Sequence, residues 1–291
     1  MHKRLWSIVA LFLCVLFVTG CQKNNQKPSD KIQVVSTLNF YGEVAKAVGG
    51  NKVQVTDLID NPNEDPHDFE PTTKTAKTLL NAQYIIKNGA GYDEWVKKIT
   101  PDHAKTISVS DLAHKKDGDN PHLWYNVDNM EQLANHLAAD LGNKDVNNKK
   151  YYQKNAQEYV KKLRPIKQQI KDIKQKSNNQ FIAVTEPVYN YTLQQLGYRI
   201  IDQKLALDIE NETDPAPKAI GQLQSEIKKH KIAFMVNNVQ TENKVTKDLL
   251  QLAKVNKIPV VNVTETMPQN KDYPTWITNQ LNQISKTQRS N

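Results

Sequence analysis

Apolar residues along the chain come in three kinds of run. The first is a single stretch, residues 5–18, interrupted only by Ser7 and Cys14. The second is a series of short runs bounded by turn residues: 32–37 (IQVVST), 52–58, 84–87 (YIIK) and 106–109 in the first half, then 181–184 (FIAV), 198–201, 233–236 (AFMV) and 259–263 in the second. Runs of this length and composition predict buried strands. The third kind recurs at helical spacing over 40–48, 73–81, 92–99, 127–141, 187–196, 219–229, 244–255 and 273–285. Gly49-Gly50 and Gly197 close two of these segments, since glycine enters the left-handed cap without strain. Strand and helix alternate within each half. That order predicts an α/β protein of two lobes, each a mostly parallel sheet with flanking helices.

Residues 148–176 lie between the two alternating blocks. Tyr151, Tyr152, Ala156, Tyr159, Val160, Leu163, Ile166, Ile170 and Ile173 form an apolar stripe there in a charged background, which predicts one long linking helix. Pro165 stands inside it and is expected to kink or split it. The expected division is therefore 32–145 for the N-terminal lobe, 146–177 for the linking helix and 178–291 for the C-terminal lobe. A body of this length is more than one typical domain.

The first apolar run is shorter than the ~20 residues that span a bilayer, and Lys3 and Arg4 precede it, so a cleaved signal is expected over residues 1–20. Val18-Thr19-Gly20-Cys21 places small residues ahead of a cysteine and resembles a bacterial lipobox. By that likeness Cys21 carries lipid, and 21–31 is a polar tether from the membrane to the folded body outside the cytoplasm. Cys14 falls in the signal, so the body has no thiol: a disulfide framework, a thiolate zinc site and a cysteine nucleophile are excluded. The formal charge of +8 comes from lysines spread along helices without interleaved aromatics, which reads as a solvated surface and not as a nucleic-acid interface.

Two loops carry the candidate chemistry. Asp65-Pro66-His67-Asp68-Phe69-Glu70-Pro71-Thr72 sets a histidine between prolines where a strand gives way to a helix. Asn120-Pro121-His122-Leu123-Trp124 repeats the Pro-His pair. Proline fixes φ and removes a donor, so such loops are stiff, and stiffness lowers the entropy lost on coordinating a metal.

With these loops, the lipobox, the linking helix and the turn at Thr185-Glu186-Pro187, essentially the whole chain beyond the signal resembles the metal-binding lipoproteins of bacterial zinc and manganese ABC importers. The resemblance implies a non-enzymatic binding protein, expected as a monomer, that holds one divalent metal ion between its lobes. The ion then passes to the permease and ATPase of the importer. It implies metal ligands at His67, His122, Glu186 and Glu265, with Asp272 as an alternative to the last. Two imidazoles and two carboxylates suit a first-row divalent cation. A glutamate at 186 and only His114 in the loop at 113–120 favour Mn²⁺ over Zn²⁺, although intrinsic affinity runs the other way. Asp68 and Glu70 are expected to orient the imidazoles, while Trp124 and Tyr125 serve as a solvent barrier or as core. Asn120 stands where the family commonly has Asp. Two other classes remain open: a lipid-anchored adhesin with a structural metal, and a metal-dependent hydrolase, which a closed four-ligand sphere and the lack of a nucleophile motif disfavour.

Overall fold

The computed structural model describes residues 31–62, 66 and 69–289. Cys14, Cys21, His67 and Asp68 lie outside the described residues.

In the N-terminal half, β1 (Ile32–Leu38), β2 (Val53–Ile59), β3 (Tyr84–Lys87) and β4 (Lys105–Ser108) form a wholly parallel sheet in the order β2-β1-β3-β4. The two central strands are buried on both faces, which is why they read as continuous apolar runs: Val34 and Ile86 face one core cluster, Val35 and Ile85 the other. Helix α1 (Asn39–Gly49) returns from β1 to β2, and α2 (Thr73–Leu80) leads into β3. Thr72 caps α2 through a reciprocal pair with Thr75. A short helix, α3 (Val109–Leu112), follows β4.

The C-terminal half repeats the topology. Strands β5 (Phe181–Val184), β6 (Arg199–Ile200), β7 (Met235–Asn238) and β8 (Val260–Val263) run in the order β6-β5-β7-β8, all parallel. In both sheets the chain leaves the first strand to one side and returns on the other. The crevice beyond the carboxyl ends of the central strands is therefore the place where such folds bind ligands. Asn88 follows β3, Glu186 lies two residues beyond β5, Asn238 ends β7, and Glu265 lies two residues beyond β8. The topology alone brings these residues to one edge of each sheet.

Helix α4 (Val127–Lys144) packs against α5 (Lys149–Ser177), the expected linking helix, and both pack on α1. Contrary to the expectation of a split, α5 runs unbroken through Pro165. Pro165 and Lys161, whose carbonyl loses its intrahelical donor, both face solvent, so water can serve that carbonyl while Leu163 and Ile166 hold the opposite face in the core. The final helix, α10 (Tyr273–Thr287), packs back onto α5.

Three segments differ from the sequence expectation. The helix at 92–99 is only a 3₁₀ turn, Glu94–Lys98, because the Asp93 carboxylate binds the amides of Asn88 and Gly89 and folds the chain tightly before it. The strand at 198–201 shortens to two residues at the sheet edge. The acid- and proline-rich residues 208–217 predict a loop, yet the first of them complete a helix, α7 (Gln203–Glu210). The segment at 187–196 begins as a 3₁₀ turn before α6 (Asn190–Gln195), and helices α8 (Pro217–Lys228) and α9 (Lys244–Val255) follow α7.

The main apolar core does not stop between the lobes. It runs from Phe40, Val44 and Trp124 through Tyr125 to Tyr189, Tyr273, Trp276 and Leu281. Tyr125 packs edge-on against Tyr189 at 4.7 Å, and Phe40 lies 4.9 Å from Trp124 and 5.8 Å from Trp276. Tyr273 donates its hydroxyl to the Trp124 carbonyl at 2.6 Å, and Thr192 donates to the Tyr125 carbonyl at 2.6 Å. This cluster, which includes Trp124 and Tyr125, thus spans both lobes, while each lobe keeps a smaller cluster of its own on the far face of its sheet.

Candidate metal centre

His122 is held from three directions. Its loop is anchored first by Asp93, which accepts from the Thr37 hydroxyl at 2.8 Å and the Asn88 amide at 2.7 Å; the Asn88 side chain then donates to the Pro121 carbonyl at 2.9 Å. Next, the Asn120 side-chain oxygen accepts from the His122 amide at 3.0 Å and lies 2.9 Å from Nδ1. The Asn120 amide nitrogen is engaged with the Pro187 carbonyl at 2.8 Å, so it is the oxygen that faces the ring. An oxygen there can only accept, which assigns the ring proton to Nδ1 and turns Nε2 toward the cleft. Finally, Trp124 packs edge-on to the imidazole at 5.3 Å. The ring is fully buried.

The carboxylates come from the other lobe. Glu265 Oε1 stands 3.5 Å from His122 Nε2 and accepts from the Tyr92 hydroxyl at 2.6 Å. Glu186 is buried, but its side chain does not cap the short helix it precedes; it accepts instead from the Asn238 amide at 2.7 Å. Burial holds the Glu186 carboxyl above the usual range, opposed by hydrogen bonds from Asn238 and Thr241 and reinforced by the charges of Glu265 and Glu210. Glu210, which the sequence reading passed over, brings its Oε1 to 3.4 Å from His122 Nε2. Nothing in the alternating acids Asp208, Glu210, Glu212 and Asp214 singles it out; the apolar spacing of Leu205, Ala206 and Ile209 was the one available sign that a helix carries this stretch into the fold.

Asp272 does not join this group. It is exposed and caps α10, accepting from the Thr275 amide at 2.9 Å, and those hydrogen bonds hold its carboxyl below the usual range. The orienting role expected of a nearby carboxylate falls to Asn120 for His122, while Glu70 is exposed. His103 and His230 are exposed, and His136 faces solvent beside Asp140.

A cavity of about 520 Å³ opens beside Glu265, lined also by Pro62, Pro66, Gln240, Thr264 and Thr266. Gln240 and Thr266 both donate to the Pro62 carbonyl, the latter at 2.9 Å, so the loop entering the first Pro-His motif is tied to the C-terminal lobe. Phe69 packs on Trp95 at 4.7 Å just after the motif. Among the described residues no three or more His, Cys, Asp or Glu side chains form a group able to hold a metal ion by themselves. Pro66, which is described within the first Pro-His loop, lines the same cavity as Glu265.

The family of zinc-uptake complex component A, periplasmic, matches residues 34–287. The chain belongs to this family. Its members are transport binding proteins, not enzymes, and the chain is accordingly a substrate-binding component of a metal ABC importer. Among its relatives, a manganese ABC transporter substrate-binding lipoprotein of Streptococcus mitis is 25% identical over 273 residues, covering 86% of each chain. An iron ABC transporter substrate-binding lipoprotein of Streptococcus pyogenes serotype M1 is 28% identical over 252 residues, covering 78% of this chain and 79% of its own. Among solved structures, a periplasmic zinc binding protein from Treponema pallidum shares the fold with a TM-score of 0.73 at 15% identity, covering 89% of this chain and 99% of its own. A Mn-bound periplasmic metal binding protein from Candidatus Liberibacter asiaticus does so with 0.71 at 20% identity, over 88% and 99%.

Proposed function

We propose that the protein captures a divalent first-row cation in the cleft between its lobes and hands it to a membrane permease. The ligands in this reading are His67 and His122 from one lobe and Glu186 and Glu265 from the other. The observation that carries it is the 3.5 Å edge between His122 Nε2 and Glu265 Oε1, formed by buried groups of opposite lobes. Metal–ligand bonds of roughly 2.0–2.2 Å subtend an edge of about 3.4 Å across a tetrahedral angle. The place of Pro66 on the same cavity as Glu265 supports His67 as the remaining donor. Two carboxylates neutralise the cation, and their oxygens favour Mn²⁺ in geometry where Zn²⁺ is favoured in intrinsic affinity. Mn²⁺ is the preferred cargo in this reading. Lipid on Cys21 keeps the loaded protein, a monomer, at the outer membrane face beside its permease and ATPase.

Capture draws the ligands of both lobes together and shifts the population toward the loaded form. The continuous core across the lobes supports small loop rearrangement over wide hinge closure. The test uses the chain from Lys31, since Ile32–Asn291 is a compact unit of its own. Metal is stripped, and melting temperature is followed against Mn²⁺ and Zn²⁺. A cation at a thousandfold its Kd adds about 4 kcal/mol, or roughly 8–16 °C at this size. A Mn²⁺ shift weakened by Glu186→His supports a manganese carrier; a shift with Zn²⁺ alone makes the cargo zinc; no shift with either ion removes the metal-binding reading.

A further inference from the structure

Glu210 has no counterpart in the four-ligand set. It ends α7, an element separate from the strand ends that carry Glu186 and Glu265, and its side chain is only 10% exposed. A carboxylate at the last residue of a helix faces the negative end of the helix dipole, where cations and not anions are favoured. The charge of Glu210 and that of Glu265 also both act on the buried Glu186 carboxyl. Glu210 Oε1 lies 3.4 Å from His122 Nε2, nearly the same distance as the Glu265 oxygen on the same nitrogen. Three carboxylates gathered out of water repel one another unless a positive charge is supplied between them.

We propose that Glu210 is an additional ligand of the captured cation, and that the carboxylate it adds selects a cation accepting five or more ligands over one held tetrahedrally. This rests on reading the cleft as a metal site. Two imidazoles and three carboxylates exceed the four positions that Zn²⁺ fills in closed protein sites, whereas oxygen-rich sites of higher coordination suit Mn²⁺. Since Zn²⁺ binds more tightly to almost any given donor set, discrimination has to come from ligand number and geometry. Glu210 supplies that extra ligand. Its two oxygens also allow either one-point or two-point attachment as the coordination sphere fills.

The test uses the full chain in detergent, stripped with a chelator, with Mn²⁺ and Zn²⁺ as probes. Mn²⁺ binding is read from loss of the six-line paramagnetic resonance signal of the free ion, and Zn²⁺ binding from competition against it. Glu210→Gln is expected to weaken Mn²⁺ at least tenfold and Zn²⁺ less than threefold. It is also expected to leave the melting temperature of the stripped protein unchanged or raised, because one of three crowded charges is gone. Glu210→Asp, which keeps the charge, is expected to recover part of the Mn²⁺ affinity. Unchanged Mn²⁺ binding, equal losses for the two ions, or a lower melting temperature of the stripped variant overturns the proposal while leaving the four-ligand reading in place. A wild-type chain that binds neither ion removes that reading instead.

Discussion

Replacing Asn120 by alanine tests how the second histidine is aimed. The side chain makes three contacts: it accepts from the His122 amide at 3.0 Å, meets Nδ1 at 2.9 Å, and donates to Pro187 across the lobes at 2.8 Å. Each such bond contributes about 0.5–1.5 kcal/mol net, and a donor left buried without a partner costs about 1–3 kcal/mol. Since His122 is fully buried, a loss of roughly 2–4 kcal/mol follows for Asn120→Ala. At about 2–4 °C per kcal/mol for a protein of this size, the melting temperature falls by roughly 4–16 °C. Metal affinity should fall further than this, because groups that orient a ligating imidazole are typically worth 10–100-fold. Asn120→Asp separates the two effects. It keeps an acceptor for both His122 donors and strengthens the hold on Nδ1–H, but it gives up the bond to Pro187. The expected result is a lower melting temperature with Mn²⁺ and Zn²⁺ affinities equal to or above those of the wild type, both read by titration calorimetry. If Asn120→Ala melts early yet binds both ions within about threefold of wild type, the residue is only a lobe-to-lobe tie and the aiming argument fails.

Other expectations follow from particular contacts. Tyr92→Phe removes the hydroxyl that donates to Glu265 at 2.6 Å. It should lower metal affinity and melting temperature together, the latter by the equivalent of about 1.5–3 kcal/mol for a hydrogen bond to a charged group; an unchanged calorimetric titration would count against Glu265 being held by it. Burial pushes the Glu43 and Asp202 carboxyls up to about 7, above their ordinary values. An acid with a raised folded pKa holds its proton longer when folded than when unfolded, so it lowers stability as pH rises through the window between the two values. The metal-stripped protein should therefore lose stability between about pH 4.5 and 7. Glu43→Gln, which retains an acceptor for the Tyr273 amide, should flatten that slope in thermal melts across pH; an unchanged slope refutes the assignment. Pro165→Ala restores a donor in an exposed helix interior and should raise the melting temperature, by up to the ~3 kcal/mol that separates the two residues in a helix. A fall would mean that α5 is bent there to fit its neighbours.

The fold was largely legible because strands buried on both faces and helices buried on one leave different periods in the sequence. Val34-Val35 and Ile85-Ile86 each place adjacent residues into opposite cores, and the stripe from Tyr151 to Ile173 reads as the buried face of α5 except at Tyr151, which is exposed, and Val160, which is half-buried. The errors fall where short-range pattern competes with tertiary contact. Residues 92–99 carry a helical pattern, but the Asp93 carboxylate turns the chain back on Asn88 and Gly89 and leaves room for only a 3₁₀ turn. Pro165 signalled a kink or a split, and the split did not occur because the residue falls on the solvent side of its helix.

The candidate site divides in the same way. Two stiff Pro-His loops and acids just beyond strand ends are local features that carry the family resemblance, and it is that resemblance which put forward His67, His122, Glu186 and Glu265. Glu186 could not be separated from a helix cap until its side chain was seen to turn to Asn238, and Asp272 could not be set aside until it was seen capping α10. Glu210 was invisible because what sets it apart is a 3.4 Å approach to a residue 88 positions earlier in the chain, and no local pattern encodes such a distance. Periodicity records which face of an element is dry. Which polar groups from distant elements meet in the dry cleft between two sheets is decided only when the lobes pack, because that packing excludes the water that would otherwise screen one charge from the next.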